Sequence, residues 1–280
     1  MKANNLTISI NAPKCTFGCP FCVSKMTGDI PFNKKLYWRN LDKVKTIALF
    51  SGVSSILITS KGEPLDNVND TVDMISYFNS LHFPIELQTN GLFLINNPRV
   101  LSTLYKKGLN ILAVSISRPM ELENNKEMLL KASEEGLVIR ITIVLGPNWR
   151  NIRLWQILSY CIDHNVSQLT FRIPTIPDNP VDTEESRKVQ RWISLQDKEF
   201  YQRIPEELKA FCEDKALVRK LSFGASIYDV KGIGVTVMDY CIQESSGEDD
   251  LRSLIYQTDG HLYTSWDKKG PAISNRTFAT

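Results

Sequence analysis

Cys15-Thr16-Phe17-Gly18-Cys19-Pro20-Phe21-Cys22 places three thiols within eight residues, spaced CxxxCxxC. Gly18 and Pro20 curl the backbone between them, so the thiols can converge on one metal centre rather than pair as a disulfide. Three is the informative number. A structural zinc site closes with four ligands, whereas a four-iron cluster held by three cysteines keeps one iron open to an outside ligand. Taken alone, the motif also admits a zinc knuckle or three packed thiols.

The loop follows an alternating run in which Leu6, Ile8 and Ile10 face one way and Thr7, Ser9 and Asn11 the other, a strand signature. Downstream, Thr27 to Trp38 reads as irregular, and Asn40 caps a helix that carries Leu41, Val44, Ile47 and Ala48 and stops near Gly52. Strands are expected at 55–59, 85–89, 111–117, 138–145 and 168–173. Helices are expected between them at about 70–81, 97–107, 124–135 and from 151. This repeated alternation of strand and helix predicts a parallel sheet, curled or closed, with helices outside.

The apolar rows (Leu6, Ile8, Ile10; Ile85, Leu87; Val114, Ile116; Ile139, Ile141, Ile143; Leu169, Phe171, Ile173) need helix cover and are expected to face outward. The opposite rows then face inward: Thr7 and Ser9, Glu86, Gln88 and Asn90, Ser115 and Ser117, Arg140 and Thr142, Thr170 and Arg172. An ordinary (β/α)8 barrel fills its interior with aliphatic side chains. Each unpaired polar group in a closed interior costs about 1–3 kcal/mol, so these rows predict a cavity holding water or a large polar ligand. An open sheet with one solvated face is the alternative, against which stands the rarity of uncovered parallel strands.

With these residues in place, the chain resembles the radical S-adenosylmethionine (radical SAM) superfamily. The cysteine spacing matches, with an aromatic residue, Phe21, directly before the third cysteine. Lys61-Gly62-Glu63-Pro64 stands after the second strand, where the family carries a GGEP-like segment; Lys61 departs from it, and Gly62, Glu63 and Pro64 agree. The resemblance covers residues 6–174. It implies a partial (β/α)6 TIM-like barrel in an α/β fold, with a [4Fe-4S] cluster on Cys15, Cys19 and Cys22. S-adenosylmethionine binds the open iron and is cleaved reductively to a 5′-deoxyadenosyl radical that abstracts hydrogen from the substrate. A single-electron donor such as flavodoxin or ferredoxin is implied. By the same resemblance Gly62 and Glu63 belong to the segment that meets the SAM amino group, Asn90, Ser115 and Ser117 to the carboxylate and ribose contacts, Arg140 to a further polar contact, and Phe21 and Ile173 to the adenine. No protein base or nucleophile is needed for the first step. Arg118 and Arg172, at or just past strand ends, are the candidates for holding an anionic group of the substrate.

Beyond Pro174 the pattern changes to a proline-rich linker, charged helical stretches, and strand-like runs at 217–228, 234–241 and 252–266, the last broken by the turn signal Asp259-Gly260. We therefore expect residues 1–174 to form the core and 175–280 a mixed α/β extension that sets substrate choice. The terminal hairpin resembles those of viperin-like nucleotide enzymes and molybdenum-cofactor cyclases, without the glycine-rich tail of the latter. A small nucleotide-like molecule is the first expectation for the substrate; a peptide, or the glycyl residue of a partner enzyme as in the activases, is the second. A cluster- or zinc-bearing binding module without turnover is the rival of a different class.

The chain of 280 residues, 42% hydrophobic, suffices for a large α/β core without staples. No stretch approaches the roughly 18 apolar residues of a membrane span, and Met1–Asn5 carries no apolar signal region, so a cytoplasmic protein is expected. Cys161, Cys212 and Cys241 are isolated from one another and read as buried thiols in a reducing compartment. The net charge of +2 does not indicate a nucleic-acid or membrane partner.

Overall fold

The computed structural model describes residues 2–151, 153–212, 216–221, 225–238 and 250–266. In chain order its elements are β1 (Lys2–Ile10), α1 (Lys34–Arg39), α2 (Leu41–Phe50), β2 (Ile56–Ser60), α3 (Val68–Asn79), β3 (Ile85–Thr89), α4 (Leu92–Asn96), α5 (Val100–Lys106), β4 (Ile111–Ile116), α6 (Pro119–Glu134), β5 (Val138–Val144), α7 (Leu154–Asp163) and β6 (Gln168–Arg172). There follow α8 (Glu184–Ser194), α9 (Lys198–Cys212), β7 (Leu217–Lys220), β8 (Ser226–Val230), β9 (Ile233–Met238), β10 (Asp250–Tyr256) and β11 (Leu262–Tyr263).

The strands form one sheet in the order β11-β10-β1-β2-β3-β4-β5-β6-β9-β8-β7. Every pairing from β10 to β9 is parallel, and short antiparallel strands finish both edges. The predicted six-strand barrel is present, and strands from the C-terminal third add to both of its sides. The sheet curls, because residues of β7 and β8 at one edge and of β10 and the segment after β11 at the other line the same cavity of about 660 Å³. It is a partial barrel with an open seam.

Strand alternation sorts the side chains as expected. Leu6, Ile8, Ile58, Leu87, Val114, Ile141 and Leu169 are fully buried under the helices, where they meet Val44, Ile75, Phe78, Leu101, Leu104, Leu129 and Leu158. Each such side chain contributes about 1.5–3 kcal/mol. Thr7, Glu86, Gln88, Arg140, Thr170 and Arg172 line the cavity instead. The cavity reaches the N-terminal strand ends at Asn5, Ser55, Pro84 and Ile111; the cluster loop lies at the opposite, C-terminal end.

Local departures from the sequence reading have physical causes. Residues 34–39, read as irregular, form α1: Asn33 Oδ1 accepts from Leu36 N at 3.1 Å, and the short helix is anchored by buried Tyr37. The Tyr37 hydroxyl donates to the Ser9 carbonyl at 2.8 Å, its ring stacks on Tyr256 at 5.1 Å, and the Tyr256 hydroxyl donates to the Tyr37 carbonyl at 2.5 Å. Asn40 begins α2 without a side-chain cap; its amide donates instead to the Gly260 carbonyl, at the Asp259-Gly260 turn. The helix expected at 97–107 is present as α5, starting at Val100, and a further short helix, α4, precedes it. Helix α6 starts at Pro119 rather than 124, because Glu121 turns back to accept from the backbone of Ser117 and Arg118. Tyr37→Phe removes one buried donor at little cost in volume, so it should lower stability by about 1 kcal/mol, read as a shifted urea midpoint at unchanged slope.

Cys161 and Cys212 are buried as expected, and burial pushes the Cys161 thiol up to about 12, which makes it inert. Cys241 lies outside the described residues. No described helix is long and apolar enough to cross a membrane.

Candidate functional site

Once the alternation of β1 ends, Ala12 N donates to Ile10 O and the chain turns into the cysteine loop. Tight turns follow, with Cys22 N donating to Cys19 O and Lys25 N to Cys22 O. All three thiols are free; Cys15 is exposed at the rim, and Cys19 and Cys22 are half-buried. Partial burial raises Cys15, opposed by hydrogen bonds from the Phe17 backbone and the Asn90 side chain. Burial likewise raises Cys19, opposed by Ser117, and charge on Cys22 or Cys15 raises it further. The thiols therefore sense one another. Yet among the described residues no three of His, Cys, Asp and Glu converge on a single ion.

The loop rests on the segment after β2. A Cβ on Gly62 would lie 2.0 Å from the Lys14 carbonyl oxygen and 2.5 Å from that of Ala12, so only glycine lets the two backbones meet. Next door, Glu63 N donates to Lys14 O at 2.9 Å. The buried Glu63 carboxylate accepts from Leu65 N at 3.1 Å, Thr89 Oγ1 at 2.7 Å and Asn90 N at 2.8 Å, tying the end of β2 to the end of β3. Pro64 starts the short turn that leads into α3. Lys61, the departure from the family pattern, donates to Thr27 Oγ1 and lies over the Trp266 ring at 5.4 Å, so it links the cluster loop to the chain beyond β11.

Burial raises the Glu63 carboxyl above its usual range, with the hydrogen bonds from Asn90, Thr89 and Leu65 opposing. The folded protein then holds a proton there more readily than the unfolded chain. This group's contribution to stability falls as pH rises from the ordinary glutamate value through the raised one. Glu63→Gln should flatten that part of the stability–pH curve and, by turning an amide N–H toward backbone donors, cost about 1–3 kcal/mol in urea unfolding.

Other expected site residues gather at the same mouth. Asn90 Nδ2 lies 3.7 Å from Cys15 Sγ while its Oδ1 accepts from Leu92 N. Ser117 Oγ lies 3.6 Å from Cys19 Sγ, and the Ser117 carbonyl accepts from Trp149 Nε1. Ser115 sits two residues earlier, at the end of β4. The Phe21 ring packs on Trp192 of α8 at 5.6 Å, and Ile173 N bonds Met238 O just past β6. Arg140 is apart from this group, on the cavity wall, paired with Glu86 and donating from Nε to Gln168 Oε1 at 2.6 Å. Arg172 also lines the cavity, whereas the half-exposed Arg118 side chain bonds Glu121 at 2.8 Å at the start of α6.

No protein-family model matches the chain. A curated relative, the GTP 3′,8-cyclase of Sulfurovum sp. (strain NBC37-1), is 26% identical over 164 residues, which is 55% of this chain and 50% of the cyclase. Among solved structures, Streptococcus suis SuiB bound to the precursor peptide SuiA aligns with a TM-score of 0.56 at 12% identity, over 94% of this chain and 59% of that one. A second SuiB structure aligns with a TM-score of 0.50 at 15% identity, over 72% and 47%. Both the cyclase and SuiB are radical SAM enzymes. The chain is thus similar to radical SAM enzymes, in sequence over the matched part and in fold over most of its length, and it spans about half the length of the curated relative it matches.

Within this radical SAM fold, the reading from sequence missed Trp192, Trp266, Arg219 and Arg252. The first packs on Phe21, and the other three line the cavity. All four lie beyond residue 174, where elements could be read but their place against the barrel could not.

Proposed function

We propose that this protein is a radical SAM enzyme: it binds a [4Fe-4S] cluster on Cys15, Cys19 and Cys22, cleaves S-adenosylmethionine reductively, and abstracts hydrogen from a small, nucleotide-like substrate. One observation carries the reading. Three free thiols stand on the loop after β1, seated on Gly62 and Glu63 at the C-terminal mouth of a curled parallel sheet. When bound, the cluster supplies the electron that turns S-adenosylmethionine into a 5′-deoxyadenosyl radical.

The chain's own task is binding, orientation and exclusion of water. Asn90 and Ser117 place polar groups against Cys15 and Cys19, where they hold the loop and meet thiolate charge. Glu63 fixes the ends of β2 and β3, and with them the backbone that the cofactor's amino group would meet. Phe21 and Trp192 offer an aromatic wall for the adenine. The polar cavity beneath receives the substrate, with strands from 175–280 completing its wall. A single-electron donor such as a flavodoxin or ferredoxin supplies the reducing equivalent, and the reducing compartment of the cytoplasm keeps the cluster intact.

Anaerobic reconstitution tests this. The expected product holds about four irons per chain and, with dithionite, converts S-adenosylmethionine to 5′-deoxyadenosine and methionine. One tightly held zinc per chain and no cleavage would replace the enzyme by a binding module.

A further inference from the structure

Residues 11–40, which run from the cluster loop through α1, hold Lys14, Lys25, Lys34, Lys35 and Arg39 and a single acid, Asp29. That is a net of +4 in thirty residues, in a chain whose total is +2. Lys14, Lys34, Lys35 and Arg39 are exposed, and Lys25 is half-buried. Among the described residues none of these five basic groups forms an ion pair. Those of α6 and α8 do: Lys126 pairs with Glu123, Arg187 with Asp182 and Lys188 with Glu184. The charge on the cluster stretch is left to attract a partner from solvent.

The fold sets these charges around the exposed side of the cluster loop. Lys14 precedes Cys15, the exposed thiol of the three, and Lys25 N donates to Cys22 O at 3.2 Å. From there the chain stays at the C-terminal end of the sheet. Thr27 accepts from Lys61 just past β2, Thr258 beyond β10 donates from Oγ1 to Ile30 O at 3.1 Å, and Asn33 N donates to Thr258 O at 2.9 Å. Lys34 and Lys35 then open α1. Pro13, Pro20, Pro31 and Phe32 are exposed among them and offer apolar contact; Asp29 and Asp66, both exposed, oppose the positive charge. None of the five basic residues lines the cavity, where a substrate would meet the radical.

Resting on the radical SAM reading, we propose that this face docks an acidic one-electron carrier protein, whose carboxylates meet Lys14, Lys25, Lys34 and Lys35 and whose redox centre comes to rest against the Cys15 side of the loop. One electron leaves the carrier, which is oxidised by one, and enters the cluster, which is reduced by one; no bond forms or breaks in that transfer. Substrate and S-adenosylmethionine need the barrel side of the loop, so the outer side is the path left for the electron. A patch of lysines suits a brief encounter. It speeds association by long-range attraction and needs only a small interface, which lets the spent carrier leave.

Two reductants separate docking from chemistry. Lys34→Glu/Lys35→Glu reverses two charges in the first turn of α1, where acidic residues favour a helix, and leaves the Asn33 cap in place, so the variant should fold and hold about four irons. With dithionite it should cleave S-adenosylmethionine as fast as the wild type. With reduced flavodoxin it should be slower by about tenfold or more, and the wild-type flavodoxin rate should fall as salt rises. Lys106→Glu/Lys107→Glu, where α5 ends before the chain enters β4 at the opposite end of the strands, is the control and should match the wild type with both reductants. Calorimetry of flavodoxin on the reconstituted protein at low salt should show binding that Lys34→Glu/Lys35→Glu weakens by a similar factor. Equal flavodoxin rates in the wild type and that variant would overturn the proposal, as would an equal loss in the control. So would an acidic peptide that stimulates dithionite-driven cleavage only while Lys34 and Lys35 are intact, which assigns the patch to a substrate. A protein that takes up no cluster but still binds flavodoxin through these lysines would support the docking face while removing the radical chemistry.

Discussion

Cys19→Ala protein, purified without oxygen, is expected to be colourless, with close to no iron where the wild type holds about four per chain. With only three protein ligands, the site has none to spare. Removing Cys19 also strands Ser117 Oγ, which lies 3.6 Å from the sulfur. Reductive cleavage of S-adenosylmethionine should fall below detection, while the far-UV spectrum stays that of the wild type, because Cys19 belongs to a partly exposed loop and not to the core. Cys161→Ala is the control: that thiol is buried on α7, far from ionising, and its loss should leave the iron content unchanged. Iron, visible absorption and product chromatography read the result. Wild-type protein with about eight irons would mean a second cluster and cysteines beyond the first loop.

Gly62→Ala should be nearly as severe, through a contact that carries no chemistry of its own. The added methyl would lie 2.0 Å from the Lys14 carbonyl oxygen and 2.5 Å from that of Ala12, and both are backbone atoms that cannot rotate away. The loop must move, and with it the bond from Glu63 N to Lys14 O and the placement of Cys15, one residue on. We expect a stability loss of about 1–3 kcal/mol and a fall in cluster occupancy and cleavage of at least about tenfold. Full iron content with normal cleavage would show that the loop is free of this seat. Lys61→Gly, which restores the family's residue, should instead keep the cluster, since Lys61 acts through Thr27 and Trp266.

Much of the barrel was legible because its strands obey a period of two with little interruption. Leu6, Ile8 and Ile10 against Thr7 and Ser9 assign both faces of β1, and the same rule placed Arg140 and Arg172 on the cavity wall. The cysteines stood out by their spacing, and Gly62 and Glu63 by their resemblance to the family's segment after the second strand. What escaped depends on distant partners. Residues 34–39 carry no strong helical period, and α1 exists because Tyr37 finds Tyr256, more than two hundred residues away. Trp192 reads as one apolar position of an amphipathic helix until α8 is seen against Phe21. Strand β10 looks like half of a terminal hairpin, and that hairpin is present. Nothing local signals that its other edge runs parallel to β1. Arg219 and Arg252 were missed for the same reason: their faces are set by the edges they join.

The pairing of β10 with β1, Lys2 opposite Asp250, joins the two ends of the described chain inside one sheet. Such contacts lie at the extreme of sequence separation and form late, because loop-closure entropy must be met first. On a ribosome, β1 emerges long before β10, which covers its outer edge; β6 waits for β9 in the same way. Residues 1–174 made alone would show two bare parallel edges, the kind of template on which chains join edge to edge. A strand made late, β10, thus guards β1, and aggregation during expression, rather than lost catalysis, is the earliest cost of removing it.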